Sequence, residues 1–179
     1  MPAPDRALIR LLQLAYSAER AASFAYQGHA GSVRDSAEKE ALAQIEADEW
    51  RHRACVGEIL EALERRPSRY FEIKYWLIGK VIGLSCYVIG WFMPMYFAGR
   101  LESGNVNEYV TLKRLLNEGG HTQWDDAVVE MTEVEKEHEI FFANAVDGHW
   151  MLPLFALIFR WSPKRSFNSW QLRATSSES

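Results

Sequence analysis

Glu49-Trp50-Arg51-His52 sets a carboxylate and an imidazole three residues apart, and Glu135-Lys136-Glu137-His138 repeats the pattern 86 residues later. In a helix, residues i and i+3 share a face, so each stretch can aim both ligand types at one point. Two such stretches on facing helices, with one Glu from each of two further helices, make a carboxylate-bridged di-iron or di-manganese site. Glu19 stands thirty residues before Glu49 across one turn region, and Glu102 or Glu108 supplies the fourth carboxylate. A single Glu-x-x-His would be read as a solvated helix face in a chain with 24 acids and five histidines. Glu118-Gly119-Gly120-His121 has the same spacing, but its paired glycines mark a turn. Two copies in strongly helical stretches, each partnered by a Glu on a neighbouring helix, favour the metal site.

The elements that must carry these residues follow from periodicity and punctuation. Asp5 is a cap for a first helix from Arg6 to near His29, whose Leu8, Leu11, Leu12 and Ala15 recur at helical spacing and lead into Glu19, Ala22 and Tyr26. Glu19 on that apolar stripe needs a partner, either the metal or a nearby Arg. Gly28, Gly31 and Ser32 are expected to break the helix. Asp35 with Glu38 resembles a capping box and opens a second helix that runs to Arg66, where Pro67 stops it. Glu49 and His52 fall near its middle. Glu46 and Asp48 lie close by, each either an acceptor for a ring N–H or part of a wet face, with the wet face the expectation for Asp48.

From Val81 through Gly99 there is no charged residue for 19 positions, a length that reaches a bilayer's thickness. Gly83, Gly90, Pro94 and Gly99 interrupt it, so Tyr70–Gly90 is read as a separate apolar segment, either core or membrane-contacting. A third bundle helix is expected from about Pro94 to Asn117, closed by Gly119-Gly120. On it, the face of Glu102 carries Met95, Val106 and Tyr109, and that of Glu108 carries Leu101, Leu112 and Leu115. At about 100° per residue the two acids lie about 120° apart, so one orientation cannot aim both at one centre. Thr122 with Asp125 caps a fourth helix bearing Val128, Met131, Glu135, His138 and Phe142, with Glu133, Glu137 and Glu139 facing water. The stretch from Trp150 to Phe159 is apolar and too short to span a membrane. With Trp161, Lys164 and Arg165 it suits a lipid headgroup boundary.

These elements predict an all-α protein: a four-helix bundle with an extra apolar helical segment between its second and third helices and a short apolar C-terminal helix. The expected single domain spans residues 1–165, with membrane-facing segments at 70–99 and 150–161 and a polar, disordered tail at 166–179. Hydrophobic residues make up 48% of the 179, and the net charge of -4 offers no basic face for nucleic acid. Two cysteines, Cys55 and Cys86, have no metal-type spacing and suit a reducing compartment. The N-terminus lacks the basic start and apolar run of a signal peptide, so the expected location is the cytoplasm, at the inner face of the membrane.

Together the residues resemble the ferritin-like demethoxyubiquinone hydroxylases of quinone biosynthesis. In that family the first-helix Glu is followed seven residues on by Tyr, then Gly and Gln; here Glu19 is followed by Tyr26, Gly28 and His29, so the Gln is replaced. Arg66-Pro67 falls where the family's second helix ends, and Tyr70–Gly90 matches its apolar segment. A Glu followed by a His-Tyr pair becomes Glu102 with Glu108-Tyr109, and Glu135-x-x-His138 closes the pattern. The likeness covers roughly residues 8–145.

The resemblance implies a ferritin-like fold and two iron ions, with manganese as the alternative, on Glu19, Glu49, His52, Glu102, Glu135 and His138. Chain register to the family selects Glu102 as the third-helix ligand. It gives Tyr26 and Tyr109 catalytic positions and leaves Glu108 as a flanking acid or a proton relay. The implied activity is oxygen-dependent hydroxylation of a quinone-like lipid by a peripheral membrane enzyme with an external electron donor, compatible with a homo-oligomer. The competing expectations are a ferritin- or rubrerythrin-like di-iron oxidase or peroxidase, and a non-enzymatic membrane-associated helical protein.

Overall fold

The computed structural model describes residues 6–163, which are helical with no strand among them. Six α-helices follow in order: α1 Arg6–Ser32, α2 Ser36–Ala62, α3 Arg69–Ser85, α4 Phe92–Glu118, α5 Asp125–Val146 and α6 Leu152–Phe159. The chain is thus a helical bundle, with an added helix between its second and third long helices and a short one after the fourth. Asp5, Lys164, Arg165 and the tail at 166–179 lie outside the described residues.

Sequence punctuation explains some boundaries and misleads at others. Asp35 caps α2, its carboxylate accepting from Ala37 N and Glu38 N at 2.9 Å each. The reciprocal half of the expected capping box is absent, because Glu38 Oε2 instead accepts from Trp91 Nε1 at 2.8 Å. The second helix ends at Ala62 rather than Arg66, and Glu64 takes a left-handed φ of 56° before Pro67 is reached. A 3-10 turn at Thr122–Trp124 opens α5, so Thr122 starts the turn rather than capping the helix. α1 runs through Gly28 and Gly31 unbroken. These glycines serve close approach, since a Cβ at Gly28 would lie 2.3 Å from Gly83 O and one at Gly31 would strike the Tyr87 hydroxyl.

The bundle has two apolar clusters. One joins Ala22, Tyr26, Leu42, Ile45, Met95, Phe142 and Val146; the other joins Leu8, Leu12, Val56, Ile59, Leu112, Val128 and Met131. Each long helix passes through both clusters, α1 and α5 in one order and α2 and α4 in the other, which is an antiparallel arrangement. On every one of the four, an acid sits between the clusters: Glu19, Glu49, Glu102 and Glu135, all buried. A polar layer therefore crosses the middle of an otherwise apolar bundle.

α3 attaches differently. Its buried residues are Gly79 and Gly83, where added Cβ atoms would lie 2.5 Å from Ala21 O and 2.6 Å from Phe24 O. Backbone thus rests on backbone against α1, while Tyr70, Ile73, Leu77, Val81 and Leu84 point out exposed. Its N-terminal turn is tied down by Glu72, which accepts from Arg53 at 2.7 and 3.0 Å, Arg20 at 3.1 Å and Ser17 at 2.8 Å. The segment is therefore not plain core. No helix among the described residues is long and apolar enough to cross a membrane.

The stretch after α6 packs back on the bundle at Trp161. Trp161, expected at a lipid boundary, is buried: its indole fills the space beside Gly99 and its Nε1 donates to Glu139 Oε1 at 3.1 Å. Glu139, expected to face water, is buried by that contact. Trp150 does stand exposed.

Candidate metal centre

The six residues expected as ligands, Glu102 among them from the resemblance, converge. Glu19, Glu49, His52 and Glu135 bring one ligand atom each within 4.8 Å of one another, and so do Glu49, Glu102, Glu135 and His138. Glu49 and Glu135 belong to both groups. Glu19 and His52 belong to the first group alone and Glu102 and His138 to the second, and either group could hold a metal ion. Glu108, the rival on the same helix, lies outside both groups and half-buried beside them, as the angular argument for α4 requires.

Unpartnered polar atoms mark the same place. Glu19 Oε2, both Glu49 oxygens, His52 Nε2 and His138 Nδ1 are buried without a hydrogen bond. Leaving such atoms unpaired is costly. Carboxylate oxygens and imidazoles grouped this closely suit hard or borderline divalent cations.

The electrostatics agree. Burial, and then the charge of Glu135, holds the Glu49 and Glu102 carboxyls well above the usual range; burial also raises Glu19. For Glu135 burial acts upward most strongly, but hydrogen bonds with His52, at 3.0 Å, and Glu102 and the charges of His52 and His138 together outweigh it and the carboxyl is lowered. Burial thus favours the neutral form of Glu19, Glu49 and Glu102, and bound cations would favour the ionised form that ligates.

The surroundings fix the ligands. Tyr26 on α1 donates to Glu102 on α4, and Tyr109 on α4 donates to Glu19 on α1. Asn105 Nδ2 spans Glu102 Oε2 at 2.8 Å and Glu135 Oε2 at 3.3 Å. Asp48 Oδ2 accepts from His138 Nε2 at 3.3 Å, so its expected wet face is overturned. Arg51 in turn bridges Asp48 at 3.3 Å and Glu130 at 3.1 Å. Sequence reading missed Asn105, although its position three residues after Glu102 is the same helical signal that picked out the histidines. The alternative of an Arg partner for Glu19 fails, because Arg20 is engaged by Glu72.

A cavity of about 460 Å³ adjoins the centre, between α1, α3 and α4. Glu19, Tyr26, Tyr109 and Glu108 line one end, and side chains such as Ala22, Ile78, Ile82, Met93 and Phe97 make it apolar elsewhere. Burial pushes the Glu108 carboxyl up to about 7, helped by the charges of Glu19 and Glu135. These features define a helical bundle with a buried acid–imidazole centre able to bind metal. Compared with known proteins, the chain matches no family model, no curated protein and no solved structure.

Proposed function

We propose that this chain is a ferritin-like di-iron monooxygenase that hydroxylates a membrane-dissolved, quinone-type ring. One observation carries the reading: two ligand quartets sharing Glu49 and Glu135 stand at the end of an apolar cavity large enough for a substituted ring. The six residues would hold two irons, whose bound chemistry is the activation of dioxygen once a donor has reduced them. The balance is a ring C–H, dioxygen, two electrons and two protons giving a ring C–OH and water. The reductant is an external two-electron donor.

The chain's own residues supply the rest. Tyr26, Tyr109 and Asn105 hold the carboxylates in place, so that little reorganisation remains when a substrate enters. Glu108, poised near neutrality at the cavity wall, can give and take a proton there. The apolar lining admits a greasy ring and keeps bulk water from the centre. Such a substrate lives in a bilayer, and the outward faces of α3 and α6 give a surface on which to dock: Ile73, Leu77, Val81 and Leu84 on one, Leu154, Leu157 and Ile158 on the other are all exposed. Docking from the cytoplasmic side is the location this implies. An iron-storage or peroxide-reducing protein using the same ligands would have no use for the cavity or these faces.

Metal analysis of purified protein should find about two irons per chain. With reductant and oxygen, the loaded protein should add one hydroxyl to a demethoxyquinone. Peroxide turnover with no quinone product would replace this reading with the rubrerythrin-like one, and absence of metal would remove both.

A further inference from the structure

Several polar groups lining the cavity are engaged, and Glu19, whose Oε2 is unpartnered, belongs to a ligand quartet. Tyr26 and Tyr109 donate to ligand carboxylates, Asn105 to Glu102 and Glu135, and Ser85 and Cys86 to Ile82 O. His29 differs. It lines the cavity, it is 2% exposed, and its Nε2 is buried without a partner. It stands three residues after Tyr26 on the same face of α1, and both rings stack on Phe142, at 5.8 Å for Tyr26 and 6.2 Å for His29. The metal cluster does not need it: His29 belongs to neither ligand quartet. A buried imidazole nitrogen with no protein partner, in an apolar cavity, loses hydrogen-bond energy until something in that cavity supplies one.

We infer that His29 is a recognition residue for the cavity's ligand, donating a hydrogen bond from Nε2 to a carbonyl-type oxygen on a neutral, otherwise apolar ring. This rests on the reading of the cavity as a quinone-type site. Burial pushes the imidazole down to about 4, so it is uncharged at neutral pH. A neutral donor in an apolar wall suits a neutral oxygen, whereas a carboxylate would call for a cation. An oxygen held there fixes one end of the ring within the cavity that Glu19, Tyr26 and Tyr109 also line.

The test uses two probes of one shape: tetramethyl-1,4-benzoquinone, and tetramethylbenzene, which lacks the oxygens. Dissociation constants are measured by calorimetry on the full chain. Wild type should prefer the quinone, and His29→Leu should weaken quinone binding about 3–10-fold, the worth of one net hydrogen bond. Hydrocarbon binding should stay unchanged in His29→Leu, which also shows that the cavity is intact, and His29→Gln should restore quinone binding. Equal quinone affinity in wild type and His29→Leu overturns the assignment while leaving the cavity reading standing. A wild type that does not bind the quinone overturns both. If His29→Leu fails to fold, loss of the quinone preference in His29→Phe is decisive in the same way, and its retention overturns the assignment.

Discussion

His138 directs Nε2 to Asp48 Oδ2 at 3.3 Å, whereas His52, its counterpart on the facing helix, keeps Nε2 buried without a partner. The difference lies in one position: the residue before Glu49 is Asp48, and the residue before Glu135 is Val134. An acceptor behind a ligating imidazole orients the ring and raises its basicity. The two halves of the centre are therefore unequal. Asp48→Ala should weaken one bound metal about 10–100-fold and leave the other nearly unchanged. Cobalt titration of metal-free protein resolves the two binding steps, and equal weakening of both would refute the claim.

Glu102 and Glu108 share a helix and divide the work. Glu102→Ala should lose iron, since it removes a member of one quartet. Glu108→Ala should retain it and alter turnover alone. Metal content by elemental analysis decides, and iron loss in the Glu108 variant would reverse the assignment.

Stability of the metal-free protein should depend on pH through the same residues. A carboxyl whose pKa is raised by folding binds its proton more tightly in the folded state. Its contribution is complete below the unfolded value of 4.5 and is lost as pH rises through the folded one, about 7 for Glu108. Glu19, Glu49 and Glu102 act in the same direction. His29 and His138, lowered by burial, act oppositely, so the carboxyl part is read from the change in melting temperature of metal-free protein between pH 6 and pH 8 in wild type against a variant. Glu108→Gln should lose less, or gain more, than wild type over that range, and a change equal to wild type's would exclude Glu108 as a contributor.

Gly83 is where α3 meets α1 backbone to backbone. Gly83→Ala places a Cβ 2.6 Å from Phe24 O, contact that rigid backbone cannot relieve cheaply. The expected cost is about 1–3 kcal/mol, as for overpacked sites generally. Denaturant unfolding measures it. Hydrogen exchange should show the loss concentrated in α3, with the helices bearing the metal ligands protected as before.

Liposome sedimentation tests the outward face of α3. Ile73→Glu with Leu77→Glu should abolish association with vesicles while leaving metal content unchanged, because neither side chain packs inward. Undiminished binding would move the docking surface elsewhere.

Much of the centre was legible because helical spacing is rigid. A carboxylate three residues from an imidazole shares its face whatever the rest of the chain does; the 120° between Glu102 and Glu108 meant that both could not ligate, and the resemblance chose between them. What could not be read was long-range. Nothing local shows that Trp161 returns to Glu139, or that Asp48 meets an imidazole 90 residues away. Gly28 and Gly31 were misread for a related reason. A glycine that breaks a helix and one that lets another helix approach look the same until the neighbour is known.

Tyr26 and Tyr109 carry one more consequence. Each stands seven residues after a ligand acid on its own helix, and each donates to the ligand acid of the other helix. The crossed pair works as a sliding scale read at two marks. Moving α1 along α4 by one turn, about 5.4 Å, would part both bonds together. Inserting a single residue between Glu19 and Tyr26 would swing the phenol about 100° around the axis and uncouple one mark from the other. Alignment of the two helices is thus verified by the residues that bracket the centre, and a chain assembled out of step would have its ligand acids unsupported before any ion arrived.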